Sequence, residues 1–240
     1  MKHRKEAFTL IELLVVISII ALLIGILLPV LASARNAALQ GKNTTRVRGI
    51  QQGCHQYSQS NNGKYPGLDN DESTYADYYN ASRRFQLLLD GNFVTADYLV
   101  SPVEQQKQPN SQLAASPTPT DHFSYVMLKI GPRDISGGIW HFGRRAEWSS
   151  NVNSQAVMIY DRNTATGTGS DARSIHSDRD WRGSVAFGDG HAQFESDNVL
   201  DKETSYSAHT NAQGTDDLFV DESGVTGNMP LGNNAFDDYN

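Results

Sequence analysis

A long uncharged apolar run near the N-terminus constrains this chain most. Residues 13–28 read LLVVISIIALLIGILL, interrupted only by Ser18 and Gly25, and no charged residue lies between Glu12 and Arg35. About 20 consecutive apolar residues match the hydrocarbon thickness of a bilayer. The run therefore predicts a transmembrane helix over residues 8–34, which would cross the membrane once.

Two ordinary explanations of this run compete with a third. A secretory signal peptide has a short apolar stretch followed by small residues, and Pro29, Ala32 and Ala34 imitate such a cleavage region, but the run here is too long. A plain membrane anchor fits the length. It does not explain Glu12, because an ionisable group beside lipid is costly and indicates a function.

The third explanation accounts for Glu12. Residues 5–12 read KEAFTLIE and, with the run that follows, resemble the processing site of type IV prepilins and type II secretion pseudopilins. The resemblance implies that prepilin peptidase cuts between Ala7 and Phe8, removes the leader peptide 1–7 and methylates the new amine of Phe8. Ala7 stands where the family usually has glycine.

The resemblance also implies how the helix assembles. Glu12 would pair with the N-terminal amine of a neighbouring subunit, which offsets the cost of placing a carboxylate in lipid. Pro29 removes a backbone hydrogen bond, which predicts a kink or local melting of the helix. The expected partners are prepilin peptidase, sibling pseudopilins, the inner-membrane assembly platform and membrane lipid.

Charge predicts the orientation and excludes one class of ligand. Lys2, Arg4 and Lys5 would keep the N-terminus in the cytoplasm, and the resemblance implies a helix in the inner membrane with the head in the periplasm. Residues 1–50 carry a net charge of +5 and the remaining 190 residues −12. This acidic excess argues against nucleic-acid binding.

The helix is expected to continue beyond the membrane. Val47, Ile50, Cys54 and Tyr57 recur at helical spacing and predict an amphipathic continuation over residues 35–60, with weaker helix formers near Gly41. The sequence 61–63, Asn-Asn-Gly, would stop it. Cys54, the one cysteine, excludes an intrachain disulfide and is expected to be a buried thiol.

Residues 61–240 predict a small α+β head with an antiparallel sheet, which completes a pilin-like fold. We expect a short helix around Phe85, Leu88 and Leu89 that stops at Asp90-Gly91, an extended segment over 94–103, and a flexible loop near 105–121. Strands are expected over 123–128 and 156–160, and a hairpin over 184–194 with a type I′ turn at Asp189-Gly190. Three aromatic residues between the first two strands are expected to pack in the core: Trp140, Phe142 and Trp148.

The C-terminal half carries a second resemblance. His176 followed by an apolar strand and Asp189-Gly190-His191 is similar to the C-terminal signature of prepilin-like proteins abundant in planctomycetes. The chain departs from that group at Ser101-Pro102, where Cys-Pro is common, and in the longer spacing between His176 and Asp189.

The same histidines support an alternative function. If His176, Asp189 and His191 converge, joined by Asp161 or Asp178, they provide ligands for zinc or another divalent ion, and the chain would be a membrane-anchored binding module or metal-dependent enzyme. No nucleophile elbow or phosphate-binding glycine loop occurs, so the sequence predicts no enzyme and no cofactor. Calcium is a further candidate ligand, because the tail is acidic: Asp216, Asp217, Asp221, Glu222, Asp237 and Asp238.

Overall fold

The computed structural model describes residues 9–68, 81–113, 119–127, 148–150, 154, 156–164, 172–201 and 216–218. The chain divides into two compact units, residues 1–39 and 40–240. Two α-helices are present in the described residues, α1 (Leu10–Ser60) and α2 (Ala81–Asp90), with short 3₁₀ turns at Ala96–Leu99 and Pro119–His122. The strands are β1 (Tyr125–Met127), β2 (Val157–Asp161), β3 (Gly183–Phe187), β4 (Ala192–Glu195), β5 (Val199–Asp201) and β6 (Asp216–Asp217).

The first unit is the apolar part of α1. The helical backbone continues through Pro29 and through Gly41, so neither interrupts α1. All seventeen large aliphatic side chains between Leu10 and Leu31 are 46–77% exposed. α1 is long and apolar enough to span a membrane. These side chains are exposed in the part of the chain that the structure describes, so they are available to lipid or to other apolar helices.

Left-handed residues follow both helices, and in each case the first of them is an asparagine. After α1, the Gly63 amide donates to the Ser58 carbonyl at 2.9 Å, and Asn62 at φ 55° and Gly63 at φ 78° are both left-handed. After α2, the left-handed residue is Asn92 at φ 55°, not the expected Gly91. Asparagine tolerates this conformation because its short polar side chain bonds locally.

The head contains the antiparallel sheet that the sequence predicted. Its strands lie in the order β1-β2-β3-β4, and every neighbouring pair is antiparallel. Tyr125 pairs with Asp161, and Ser184 pairs with Phe194. A second, two-stranded sheet joins β5 to β6 and was not predicted, because Asp216-Asp217 has no strand propensity.

Both faces of the four-stranded sheet are covered. On one face the predicted stripe of α1 is fully buried and packs with α2 and the strands. On the other face Val126, Tyr160 and Val185 pack with Trp181 and Leu218. This explains why β1, β2 and β3 are buried along their whole length rather than at alternate residues.

The prediction of an extended segment over 94–103 is wrong in part, because residues 96–99 form a 3₁₀ turn against α1. Two glycines of α1 permit this approach. A Cβ at Gly53 would lie 2.6 Å from Val94 Cγ1, and one at Gly49 would lie 2.5 Å from Tyr98 Cε1. Part of the loop expected near 105–121 is also packed, since Leu113 is fully buried.

The hairpin forms where expected, but its turn is of another type. The Gly190 amide donates to the Phe187 carbonyl at 3.0 Å, and the Phe187 amide donates to the His191 carbonyl at 2.9 Å. Gly190 has φ 86°, whereas Asp189 is not left-handed. The loop therefore has three residues, 188–190, with a left-handed glycine last, rather than the two-residue type I′ turn.

Candidate functional site

Glu12 closes a capping box at the start of α1. The backbone amide and hydroxyl of Thr9 donate to Glu12 Oε2 at 2.9 and 2.7 Å. In return the Glu12 amide donates to Thr9 Oγ1 at 3.3 Å. This reciprocal pattern satisfies amides that a helix start otherwise leaves unpaired. Glu12 therefore has a role within its own chain, and Ala7 and Phe8 lie outside the described residues.

Pro29 lies near the C-terminal end of the exposed apolar part of α1, two residues before Leu31. Because its ring provides no N–H, the helix lacks one donor there. The surrounding side chains are aliphatic and exposed, so another helix or lipid would contact this stretch only through apolar packing.

His176 belongs to a buried polar junction in the head. Its side chain is 4% exposed, and Nε2 lies 3.2 Å from Oδ2 of the fully buried Asp161. The Asn43 side-chain amide of α1 donates to both Asp161 oxygens, at 2.9 and 2.8 Å, and lies 3.0 Å from Ser184 Oγ. The Ser184 backbone amide adds a bond of 2.6 Å to Asp161. The carboxylate is thus held by hydrogen bonds from α1 and β3.

The side-chain carbonyl oxygen of Asn43 also takes part in hydrogen bonds. It accepts the Ser101 hydroxyl at 2.6 Å and the Tyr125 hydroxyl at 2.8 Å. Burial, together with the nearby charge of Asp161, raises the pKa of Tyr125 well above its usual value, which keeps this hydroxyl a donor. One amide of α1 therefore connects the helix to β1, β2 and β3.

Asp189 and His191 form a second pair, in the hairpin turn. Asp189 accepts the His191 backbone amide at 2.9 Å, a bond that lowers the pKa of this carboxyl, and it also bonds His191 Nδ1. The ring of His191 stacks on Phe187 at 4.3 Å. Both side chains are nearly half exposed. The turn touches α1 as well, where the Gln51 side-chain amide lies 3.5 Å from the Gly188 carbonyl.

The two histidines are separated along the sheet. The His176 ring packs edge-on against Phe194, at 5.0 Å between centroids. Phe194 lies three residues beyond His191, which is about 10 Å along an extended strand. Ligand bonds to zinc are about 2 Å long, so one ion would not bridge these pairs. The described residues contain no group of three or more His, Cys, Asp or Glu side chains placed to hold a metal.

A buried arginine was missed by the sequence reasoning. Arg84 of α2 is 1% exposed, its guanidinium lies 4.0 Å over the Trp148 ring, and its Nε donates to the Pro66 carbonyl at 3.3 Å. Burial lowers the pKa of Arg84 to about 9 and raises that of the neighbouring Cys54 thiol to about 12. The burial of Arg84 could have been inferred from its position four residues before Leu88, because this spacing places both residues on the buried face of α2.

Part of the acidic tail is ordered on the head. Asp216 and Asp217 form β6, and Leu218 is buried, with its amide bonded to the Asn198 carbonyl at 3.0 Å. The Tyr160 hydroxyl donates to the Leu218 carbonyl at 3.2 Å. The other acidic residues of the tail lie outside the described residues, as do Trp140 and Phe142: Asp221, Glu222, Asp237 and Asp238.

Comparison with known families and proteins bears on the N-terminal segment. The prokaryotic N-terminal methylation motif matches residues 2–28, which include the Ala7–Phe8 bond, Glu12 and most of the apolar run. No curated protein and no solved structure matched the chain. This motif and the long apolar helix that contains it support a type IV prepilin-like N-terminal segment in this chain.

Proposed function

We propose that this chain is a structural subunit of a pseudopilus or pilus-like fibre, of the type II secretion or type IV pilus kind. Prepilin peptidase would cut between Ala7 and Phe8 and methylate Phe8. The mature helix would remain in the inner membrane, with the head in the periplasm, until the assembly platform extracts it. The observation that carries the proposal is the methylation motif over residues 2–28, together with the seventeen exposed aliphatic side chains between Leu10 and Leu31.

The geometry of Glu12 supports a role in assembly. Its carboxylate accepts both donors of Thr9, at the one ionisable position of an apolar face. A carboxylate there favours any neighbour that brings a positive amine into the same apolar environment. Glu12 would therefore set the stagger between sibling subunits, and Pro29 would permit the helices to repack.

The alternative, a tethered binding module or metal-dependent enzyme, has less support. His176 is committed to Asp161 inside the fold, and Asp189 and His191 form their own exposed pair. The arrangement favours a structural use of the C-terminal motif, because both parts contact α1: His176 through Asp161 and Asn43, and the turn through Gln51. Calcium binding by the acidic tail stays a prediction, tested by calorimetric titration of the purified full chain.

The experiment compares fibre assembly in cells that express Glu12→Ala, Glu12→Gln or His191→Ala, by cross-linking between chains and by the sheared surface fraction. Both Glu12 variants should insert and be processed but lose cross-linked multimers, whereas His191→Ala should assemble normally. Normal assembly of Glu12→Ala, or a head activity lost only in His191→Ala, would overturn the proposal.

A further inference from the structure

The segment that leads into β3, residues 172–182, crosses the end of the sheet and carries His176 near its middle. We call these residues the His176 segment. Ala172 and Trp181, near its two ends, are buried in the core on the face of the sheet away from α1. Apolar packing therefore fixes both ends of the segment.

The middle of the His176 segment is held by polar contacts. Ser174 and Ser177 exchange backbone hydrogen bonds of 3.2 and 3.3 Å, and the His176 amide donates to Ser174 Oγ at 3.1 Å. This turn places His176 Nε2 3.2 Å from Asp161 Oδ2 and packs the ring edge-on against Phe194. The imidazole ring thus fastens the middle of the segment to the buried carboxylate.

Asp161 is fully buried, and its bonds from α1 and β3 come from neutral groups. The Asn43 side-chain amide and the Ser184 backbone amide both donate to it. Among the ion pairs of the described residues, His176 is the one basic side chain that contacts Asp161. A buried charge is costly unless an opposite charge compensates for it. Protonated His176 supplies that charge, whereas the neutral ring supplies only a weaker hydrogen bond.

Histidine is the residue type whose charge ordinarily changes between about pH 5 and 8. The other ionisable groups of the surrounding described elements are of other types: Arg46 of α1, Tyr125 of β1, Glu195 of β4, and Arg173, Asp178, Arg179, Asp180 and Arg182 of the segment itself. Burial raises the pKa of Tyr125 well above its usual value, so its hydroxyl stays neutral. Hydrogen bonds from Arg182 and Ser177 lower the pKa of Asp180 to about 2, so this carboxylate stays charged.

Lys107 is a further group that titrates near this range, because burial lowers its pKa to about 8. Its ammonium donates to the Phe123 carbonyl at 2.8 Å, away from the His176 segment. A variant at His176 keeps Lys107, so a comparison of the two chains separates the two groups.

We propose that His176 is a proton-sensitive clasp of the head. The protonated ring holds the middle of the segment against Asp161, and loss of the proton loosens it while the apolar ends stay packed. Acid therefore tightens the clasp and alkali opens it. Because Asn43 of α1 donates to the same carboxylate, the clasp also supports the buried polar junction. The inference concerns the head alone and does not depend on fibre assembly.

The test is limited trypsin digestion of the full-length chain in detergent at about pH 6 and about pH 8. Cleavage after the exposed Arg173 and Arg179 reports opening of the segment, and cleavage after the exposed Lys64 is the internal reference. Since both are measured in one digest, the pH response of trypsin itself cancels. The ratio should rise about tenfold from the lower to the higher pH, because cleavage follows the population of the open form.

Two variants assign the effect to one ring. His176→Gln keeps a neutral donor but cannot gain a proton, so its ratio should be equal at both pH values and close to that of wild type at the higher one. His55→Gln is the matched control, because His55 is exposed on α1, and it should behave as wild type. A wild-type ratio that does not change with pH, or a change that persists in His176→Gln, would overturn the inference.

A measurement on the wild type alone covers the case in which His176→Gln does not fold. Nuclear magnetic resonance follows the ring protons of His176, identified by their contact with the Phe194 ring, whose centroid lies 5.0 Å away. The ring should titrate with the same midpoint as the cleavage ratio. A different midpoint would refute the clasp and would leave the proposed function untouched.

Discussion

Asn43→Ala should be the most damaging single truncation on α1. Asn43 is fully buried, and its amide serves Asp161 on one side and the hydroxyls of Ser101 and Tyr125 on the other. Each buried polar group that loses its partner costs about 1–3 kcal/mol. Asp161 keeps its hydrogen bond from the Ser184 amide. The loss of Asn43 as partner of Asp161, Ser101 and Tyr125 should therefore lower the free energy of unfolding by about 3–5 kcal/mol in total. For a chain of this size that is a fall in Tm of about 10 °C.

The assay is denaturant unfolding of the detergent-solubilised full chain, followed by the fluorescence of the buried Trp148 and Trp181. Asn36→Ala is the control, since Asn36 is exposed on the same helix and alanine is the better helix former there, by less than about 1 kcal/mol. Asn43→Asp, which keeps the shape and the acceptor but sets a second carboxylate against Asp161, should be at least as harmful as Asn43→Ala. The reasoning is refuted if Asn43→Ala unfolds within about 1 kcal/mol of Asn36→Ala.

Three further predictions concern the head. Gly53→Ala should destabilise the head, because a Cβ there would lie 2.6 Å from Val94 Cγ1. Gly41→Ala should instead stabilise α1 by up to about 1 kcal/mol, because a Cβ there meets no atom within 4 Å, and thermal melts compare the two variants. Gly190→Ala should lower Tm and increase amide exchange in the hairpin, because φ is 86° there; an unchanged exchange rate would contradict this. Burial raises the Cys54 pKa to about 12, so the folded thiol stays protonated while the unfolded one ionises above pH 9. Wild type should therefore lose stability relative to Cys54→Ala as pH rises, by about 2 kcal/mol near pH 10.5, measured by urea unfolding at each pH.

Regular periodicity made much of the fold predictable. The stripe that includes Val47 and Ile50 placed the buried face of α1, and the alternation around Asp189-Gly190 placed the β3–β4 hairpin. Both patterns are local, so they need no knowledge of distant contacts. The type of turn was wrong, because one extra residue, Gly188, enters the loop and only Gly190 is left-handed.

The buried polar junction around Asn43 and Asp161 could not be predicted from the sequence. Asn43 lies more than one hundred residues before Asp161, and in the sequence it is an ordinary polar residue among weak helix formers. Its burial depends on tertiary packing, which overrides local propensity. The alternative function required His176, Asp189 and His191 to converge, and their spacing in the sequence does not establish where each side chain lies along the sheet.

The mass and N-terminal sequence of the chain from native membranes test the central claim most directly. A chain that begins at Phe8 and is heavier by one methyl group is the result predicted for a processed prepilin-like subunit. A chain that still begins at Met1 or Lys2 would mean that no peptidase cuts the Ala7–Phe8 bond, and a start beyond Ala34 would mean that the apolar helix is discarded. Either result would contradict the account.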